Sequence, residues 1–551
     1  MRISLLLLAL ATATAPAHAI TRPLLAGLQD LLPYQLNALA PALDDLAPAR
    51  EAPMLPYALA EDVDLDSRRD GRWLQRDGHA VWRLRLRGDD ALSLSASLGP
   101  LNLPIGTIIR IADGSGEVHS EHFFDALRSR YQTPIVPGQD MVLEAELPAG
   151  RHPDAFIAVR SVQQGYRDIR QRRKSGSCNI DTACPEANAW SEAVRATARI
   201  TINGTSLCSA VLLNNTENDG RPLLLTANHC GLTPSNAAAT VVYWNFETSE
   251  CGGTPDGSLG QSQSGATLLA SNPDPDFALL ELDRPPPSSF SVYYAGWDSR
   301  GNGFPSGVGV HHPAGDEKRI SLFDRSPRKT RALVDGDPVQ SWQVFWSAGV
   351  TEPGSSGSGL FDNTGRVVGQ LSGGNSSCDN PGGSDVYGRM DFGWDNASSD
   401  QRNLQPWLAP GSTQRVIDGR DSAVFGARAR DDAFVVARGV RSSIPLPVLL
   451  NDSGPRPLRI VDASSSQGQL RVDGNRLLYT PATDDDAVIE YLIIDRDGST
   501  SRAQAQVRPS ARENVLSNAA PALRGGSLDL TLMLLGLAGL ICRSRRRPRP
   551  A

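Results

Sequence analysis

Cysteine is scarce and unevenly placed in this 551-residue chain: only seven occur, none between residues 20 and 174 and none between 430 and 509. No two form a CxxC pair, so the usual sequence argument for a structural zinc site is missing. Histidine is also rare: three of eight lie between residues 175 and 419, and none follows Ser356. Positive charge is not in excess, and a net charge of −7 leaves no general case for nucleic acid. No fixed-period repeat marks the chain as a solenoid or propeller. The apolar run Leu528 to Ile541 is shorter than the ~20 residues a spanning helix needs.

What is present describes a secreted globular protein. It is 40% hydrophobic and 21% charged, which is ordinary for a folded domain. Fifty-one Gly and 39 Pro favour turns over long helices. "MRISLLLLALATATAPAHA" has Arg2, an apolar stretch from Ile3, and Ala17-His18-Ala19. That order of parts is a signal peptide, residues 1–19, and it implies a disulfide-permissive destination. Six of the seven cysteines fall between Cys178 and Cys378. Spacing alone does not choose among their pairings.

Residues 20–174 alternate in "VWRLRLR" (Trp82, Leu84, Leu86) and "LSLSASL" (Leu92, Leu94, Ala96, Leu98). Period-two patterning predicts half-buried antiparallel strands. This region ends in the basic run "RDIRQRRKSGSCN", an exposed linker and a natural site for a peptidase that prefers basic residues. Residues 175–419 hold the cysteine set and short strands such as "VRATARITIN", "VVYWNFE" and "FALLELD". The expected class is all-β, sandwich or barrel. Residues 430–509 change composition and read as a small β-sandwich. The tail, 525–551, combines Gly525-Gly526, the apolar run and an Arg cluster, the layout of a membrane or sorting segment.

The stretch "EPGSSGSGLF" (Glu352 to Phe361) could be a linker, but strand-like runs flank it: "SWQVFW" before and "GRVVGQLSGG" after. A Gly-rich turn between strands is a place for a reactive serine. His229, in "LLLTANHCG", follows an apolar strand and precedes Cys230. His311-His312 is the competing base, although adjacent strand residues point to opposite faces. Asp276, in "PDPDFALLELD", enters an apolar strand, where a carboxylate needs a partner; Asp274 reads as a solvated turn residue. His229, Asp276 and Ser356 run in the chain order of chymotrypsin-like peptidases. An α/β-hydrolase needs a His after the Ser, and its G-x-S-x-G frame would put Gly where Ser358 stands. In this scheme His229 takes the proton of Ser356, Asp276 orients His229, and the amides of Gly354 and Ser356 form an oxyanion hole. A catalytically idle, protease-like surface adhesin is the rival from another class. No cofactor or metal is implied.

"SGSCNIDTACPE", "LTANHCG", "VVYWN", "DFALLELD", "AGWD", "HHPAGDEKRIS", "GVTEPGSSGSGL", "GQLSGG" and "SDVYGR" together resemble the bacterial lysyl endopeptidases, over roughly residues 175–419. The resemblance implies a chymotrypsin-like double β-barrel and a triad of His229, Asp276 and Ser356. It implies disulfides Cys178–Cys378, Cys184–Cys251 and Cys208–Cys230, release after Lys174, and Asp385 at the base of a pocket for a basic P1 residue. Its substrates would be proteins or peptides. Two departures stand out. Lysine-specific members carry a His, stacked with a Trp, where this chain has Ser372, and no Trp equivalent is evident near "RALVDGDP". This leaves Lys alone, or Lys and Arg, as substrates. Ser355 replaces the Asp that precedes the nucleophile in ordinary trypsin-like zymogens. Residues 20–174 are then expected to act as an inhibitory or folding-assisting propeptide. Residues 430–509 resemble cadherin- or Ig-like repeats of bacterial surface proteins, a spacer or adhesion module. The tail resembles a GlyGly-CTERM signal, which would be trimmed by a sorting protease at the cell surface.

Overall fold

The computed structural model describes residues 27–39, 54–167 and 175–510, apart from 77, 105–106, 125–129, 149–151, 335, 423–425, 455–457, 474 and 496–499. Residues 1–19, read above as a signal peptide, Lys174 and the 525–551 tail lie outside these residues. The architecture is all-β. Its described α-helices are the short Ser191–Ala196 and Gln405–Leu408.

Before residue 167, two sheets enclose a core. One is built around His79–Arg87, Asp140–Glu146 and Ile108–Asp113, the other around Ser93–Asn102, Phe156–Gly165 and Ala58–Asp66. Alternation places Trp82, Leu84, Leu86, Leu94, Ala96 and Leu98 in that core. Leu92 departs from the expected pattern, because it precedes the strand and is 42% exposed. The intervening Arg83 is buried against Glu144 at 2.7 Å, so this strand is covered on both faces.

The central region is two curled sheets packed on each other, the double-barrel layout that the family resemblance implies. The first runs Ser262–Ser264, Thr240–Trp244, Thr197–Ile202, Ser206–Leu213, Leu223–Ala227, Phe277–Leu282, Ala266–Asn272. The second runs Ile180–Asp181, Arg319–Phe323, Gly307–His311, Gly359–Asp362, Val367–Gly374, Ser384–Arg389, Asp337–Phe345, Arg328–Val334. One apolar cluster spans them, joining Val211, Leu225 and Phe277 of the first to Val308, Phe361 and Val367 of the second. Fully burying side chains of this size contributes roughly 1.5–3 kcal/mol each, enough to hold residues at the seam in fixed register. The disulfides are Cys178–Cys378, Cys184–Cys251 and Cys208–Cys230.

After residue 428, a four-stranded sheet (Asp432–Ala437, Thr500–Ser510, Ala487–Ile494, Arg459–Ser465) faces a three-stranded one (Ile444–Leu446, Arg476–Thr480, Gln469–Asp473) across its own core, which includes Phe434, Leu477, Tyr479 and Tyr491.

Candidate active site

Strand Leu223–Ala227 ends in a single 3₁₀ turn, Asn228–Cys230, closed by Gly231 at φ 72°. The Cys208–Cys230 bridge ties this turn to the neighbouring strand Ser206–Leu213. His229 sits between the strand end and the bridge, so its backbone has little freedom. Its side chain is 14% exposed and that of Asp276 only 4%.

Asp276 meets His229 twice. Oδ1 accepts the His229 amide at 2.9 Å, and Oδ2 lies 2.8 Å from Nδ1. A carboxylate can only accept, so Nδ1 carries a proton, and in the neutral imidazole Nε2 is then the nitrogen with the lone pair. Asp276 has φ 55°, an uncommon backbone state for a non-glycine residue. Three hydrogen bonds to its backbone hold it there: its own amide to Pro273 O (3.1 Å), the Asn228 amide to its carbonyl (2.9 Å), and the Gln370 side-chain Nε2 from the second sheet to that carbonyl (3.1 Å). Asp274 is exposed, as expected of a turn residue, with Arg402 3.7 Å away.

Ser356 is half-buried on the turn between Glu352 and Gly359. Its carbonyl accepts the Ser209 amide at 2.8 Å, and Cys230 Sγ lies 4.0 Å from that carbonyl oxygen. The serine turn therefore abuts the histidine turn across the seam. Gly357, at φ 83°, makes the fit possible: a Cβ there would come within 2.1 Å of Thr226 Oγ1 and 2.5 Å of Ser209 O. Gly354, at φ 97°, is similarly pressed against Gly315 N. The amides of Ser355, Gly357 and Ser358 donate to Glu352, Leu371 and Ser355 carbonyls. Those of Gly354 and Ser356 make no hydrogen bond to any described residue. The turn that carries Ser356 thus keeps two unspent amide donors, at Gly354 and at Ser356 itself.

The competing histidines are placed elsewhere. His311 Nδ1 meets Ser355 Oγ at 2.8 Å and Nε2 meets Ser321 Oγ at 3.1 Å, so both nitrogens are engaged. Burial pushes its pKa down to about 3, with Arg319 adding to the effect. His312 is equally buried, bonded to Asp316 O, and held well below the usual range by burial and then by Lys318. Neither imidazole is available as a base for Ser356.

Asp385 is fully buried on strand Ser384–Arg389. Its Oδ2 accepts from Trp346 Nε1 (2.6 Å), Thr351 Oγ1 (2.7 Å) and Ser376 Oγ (2.6 Å). Burial raises its pKa despite these bonds. Every donor is neutral, so the negative charge has no cation beside it among these contacts. Sequence reasoning missed Trp346, Thr351 and Ser376. Trp346 lies just past the register Val344↔Asp385 and Phe345↔Ser384, which only strand pairing reveals. Ser372 sits at a bulge between Leu371 and Gly373; its hydroxyl is buried and has no hydrogen-bond partner.

The family described as "Lysyl endopeptidase, C-terminal domain" matches residues 173–388. The lysyl endopeptidase of Pseudomonas aeruginosa is 31% identical over 336 residues, covering 55% of this chain and 71% of that protein. Among solved structures, the HtrA-type protease AlgW with tripeptide is 17% identical, with TM-score 0.29, over 59% of this chain and 99% of that one. The S227A form of AlgW with decapeptide, also 17% identical with TM-score 0.27, is matched over 38% of this chain and 64% of that chain, just under two thirds of its length.

Proposed function

This chain belongs to the lysyl endopeptidase family of serine endopeptidases, and from that membership we propose that His229, Asp276 and Ser356 hydrolyse peptide bonds on the carboxyl side of Lys and of Arg. The observation that carries the mechanism is the doubly bonded His229–Asp276 pair set against a serine turn with two unspent amides. Nε2 of His229 takes the proton as Ser356 Oγ attacks the scissile carbonyl. The amides of Gly354 and Ser356 receive the oxyanion. His229 returns the proton to the leaving amine, and water, activated the same way, releases the acyl group.

The basic preference rests on Asp385. A buried carboxylate with only neutral donors is costly, and a substrate cation is the missing partner. Ser372 in place of a bulky stacked His supports room for a guanidinium as well as an ammonium.

Residues 20–174 are proposed as a propeptide that covers the cleft before release. Supporting this, Leu55–Pro56 pairs with Ser206 and Leu207 as an added strand. The Leu55 side chain also reaches Gly354 of the serine turn and Gly315 of the neighbouring 312–316 turn, 3.2 Å from a Cβ built on Gly354 and 3.3 Å from one on Gly315. We further propose secretion through residues 1–19, a spacer or adhesion role for 430–509, and surface sorting through 525–551.

The test is cleavage of matched peptides with Lys, Arg or a neutral P1 residue, using matured protein and Ser356→Ala as control. Cleavage after Lys and Arg alike, abolished by the substitution, is expected. Equal cleavage after neutral residues would remove the specificity reading, and Ser356-independent cleavage would remove the triad.

A further inference from the structure

Residues Ser175 to Asn179 form a strap across the second sheet. Ser175 is buried; its backbone nitrogen lies 3.3 Å, and its hydroxyl 2.7 Å, from Asp316 Oδ2. The next amide, Gly176, donates to Glu352 Oε1 at 2.8 Å, and Asn179 Nδ2 donates to the same oxygen at 2.8 Å. The Cys178–Cys378 bridge fastens the strap, and Gly176 packs so closely that a Cβ there would lie 2.3 Å from Cys378 Sγ.

Charge around this nitrogen is unbalanced. Arg319 pairs with Asp181, Asp316 and Glu317 together. Arg199, which donates to Gly315 O, and the buried Lys318, paired with Glu247 at 3.5 Å, are further cations here. Against these three stand five carboxylates: Asp181, Glu247, Asp316, Glu317 and Glu352. Burial raises the Glu352 carboxyl, and Asp316 adds to that shift. The surroundings have room for one more positive charge at the Ser175 nitrogen.

Both acids connect to the turn that bears Ser356. Glu352 begins that turn. Asp316 closes the 312–316 turn, its amide on Pro313 O, and the Ala314 amide of that turn donates to Pro353 O at 2.7 Å. Gly315 N lies against Gly354, whose amide is one of the two unspent donors. Ser355, by contrast, is neutral and offers no charge, and its hydroxyl is already held by His311 and the Glu352 amide.

We propose that Asp316 binds the α-ammonium created at Ser175 when the 174–175 bond is cut, and so acts as a positioning residue that sets the Pro353–Gly354 turn for catalysis. This rests on the serine-peptidase reading and on release after Lys174. In the cut, water adds across the peptide bond: the carbonyl carbon of Lys174 takes the hydroxyl and leaves as carboxylate, and the Ser175 nitrogen gains protons. A free α-amino group has a pKa of about 8, so it is cationic at neutral pH. Cleavage thus changes the charge at a nitrogen already seated beside its acceptor.

The experiment replaces residues 171–174 with the recognition sequence of an external endopeptidase, so that cutting leaves either Ser175 or one extra Gly as the first residue. Each form is made with Asp316 and with Asp316→Asn. Turnover of a basic peptide, fluorophosphonate labelling of Ser356 and thermal unfolding are measured. The extra Gly and Asp316→Asn are each expected to lower kcat by about tenfold or more with KM nearly unchanged. The extra Gly should cost nothing further in Asp316→Asn, because the two changes remove one interaction. Equal kcat for the Ser175 and Gly-extended forms overturns the proposal. An Asp316→Asn loss that is independent of the extra Gly also overturns it, since that result denotes a structural role alone. If the Ser175 form neither cuts nor labels at Ser356, the peptidase reading fails and this inference falls with it.

Discussion

Asp276 grips His229 by backbone and side chain at once, through Oδ1 to the amide at 2.9 Å and Oδ2 to Nδ1 at 2.8 Å. One carboxylate therefore sets both the ring's tautomer and the position of its parent turn. Its own strained backbone is braced by Gln370 from the opposite sheet.

Asp276→Asn is expected to leave the fold intact and to lower kcat by about 10⁴-fold, since an amide can donate to Nδ1 and favour the wrong tautomer. Steady-state kinetics at pH 7, with circular dichroism as a fold control, checks this. A fall of less than tenfold would remove Asp276 from the mechanism.

Gly357→Ala should damage stability and activity together. The added methyl meets Thr226 Oγ1 at 2.1 Å and backbone at 2.5 and 2.8 Å, at a positive φ. Overpacking of this kind costs about 1–3 kcal/mol, with backbone strain added. Thermal unfolding should show a lower midpoint, and fluorophosphonate labelling of Ser356 should slow. An unchanged midpoint would mean the seam is looser than these contacts indicate.

The Asp385 carboxyl predicts a pH signature. Its pKa is raised by burial, so the ratio of kcat/KM for basic over neutral peptides should fall as pH drops through a value above the ordinary Asp range. Taking the ratio cancels any pH effect on the catalytic groups that both substrates share. The stability sign is opposite to that of an ion-paired Asp. A raised folded pKa favours the protonated form, so the stability from this carboxyl is complete below its unfolded pKa near ~3.9 and is lost as pH rises through the folded value. Asp385→Asn should abolish the pH dependence of the ratio and lower it by about 10²-fold or more, as expected when a desolvated charge pair is lost.

Ser372→His should raise selectivity for Lys over Arg. Replacing the small Ser372, whose hydroxyl has no partner, with a larger ring narrows the proposed pocket, and differences in pocket shape of this size are worth about 10- to 200-fold. Competition between matched Lys and Arg peptides measures the change. An unaltered ratio would place the control of selectivity elsewhere in the pocket.

Local pattern was enough to read the β-strand class, because alternation and Gly/Pro punctuation are properties of short windows. It found the core positions Trp82, Leu84 and Leu86 but misread Leu92, which lies just outside its strand. Around the site, the sequence singles out His229, Asp276 and Ser356 by chain order and by their turns. The side chains that brace Asp276, Ser355 and Asp385 were not legible. Gln370 reaches Asp276 from 94 residues away, His311 reaches Ser355 from 44, and Trp346 reaches Asp385 from 39.

The sequence by itself determined the inventory: which side chains can donate, accept or carry charge, the glycines that permit the tight turns, and the order in which they occur. Only the tertiary structure decided which of them meet. Strand register across two sheets engages both nitrogens of His311, leaves the Gly354 and Ser356 amides unspent, and brings Ser175 to Asp316 across 141 residues. Such contacts are set by long-range pairing and packing at the seam, and no short window of sequence contains that information.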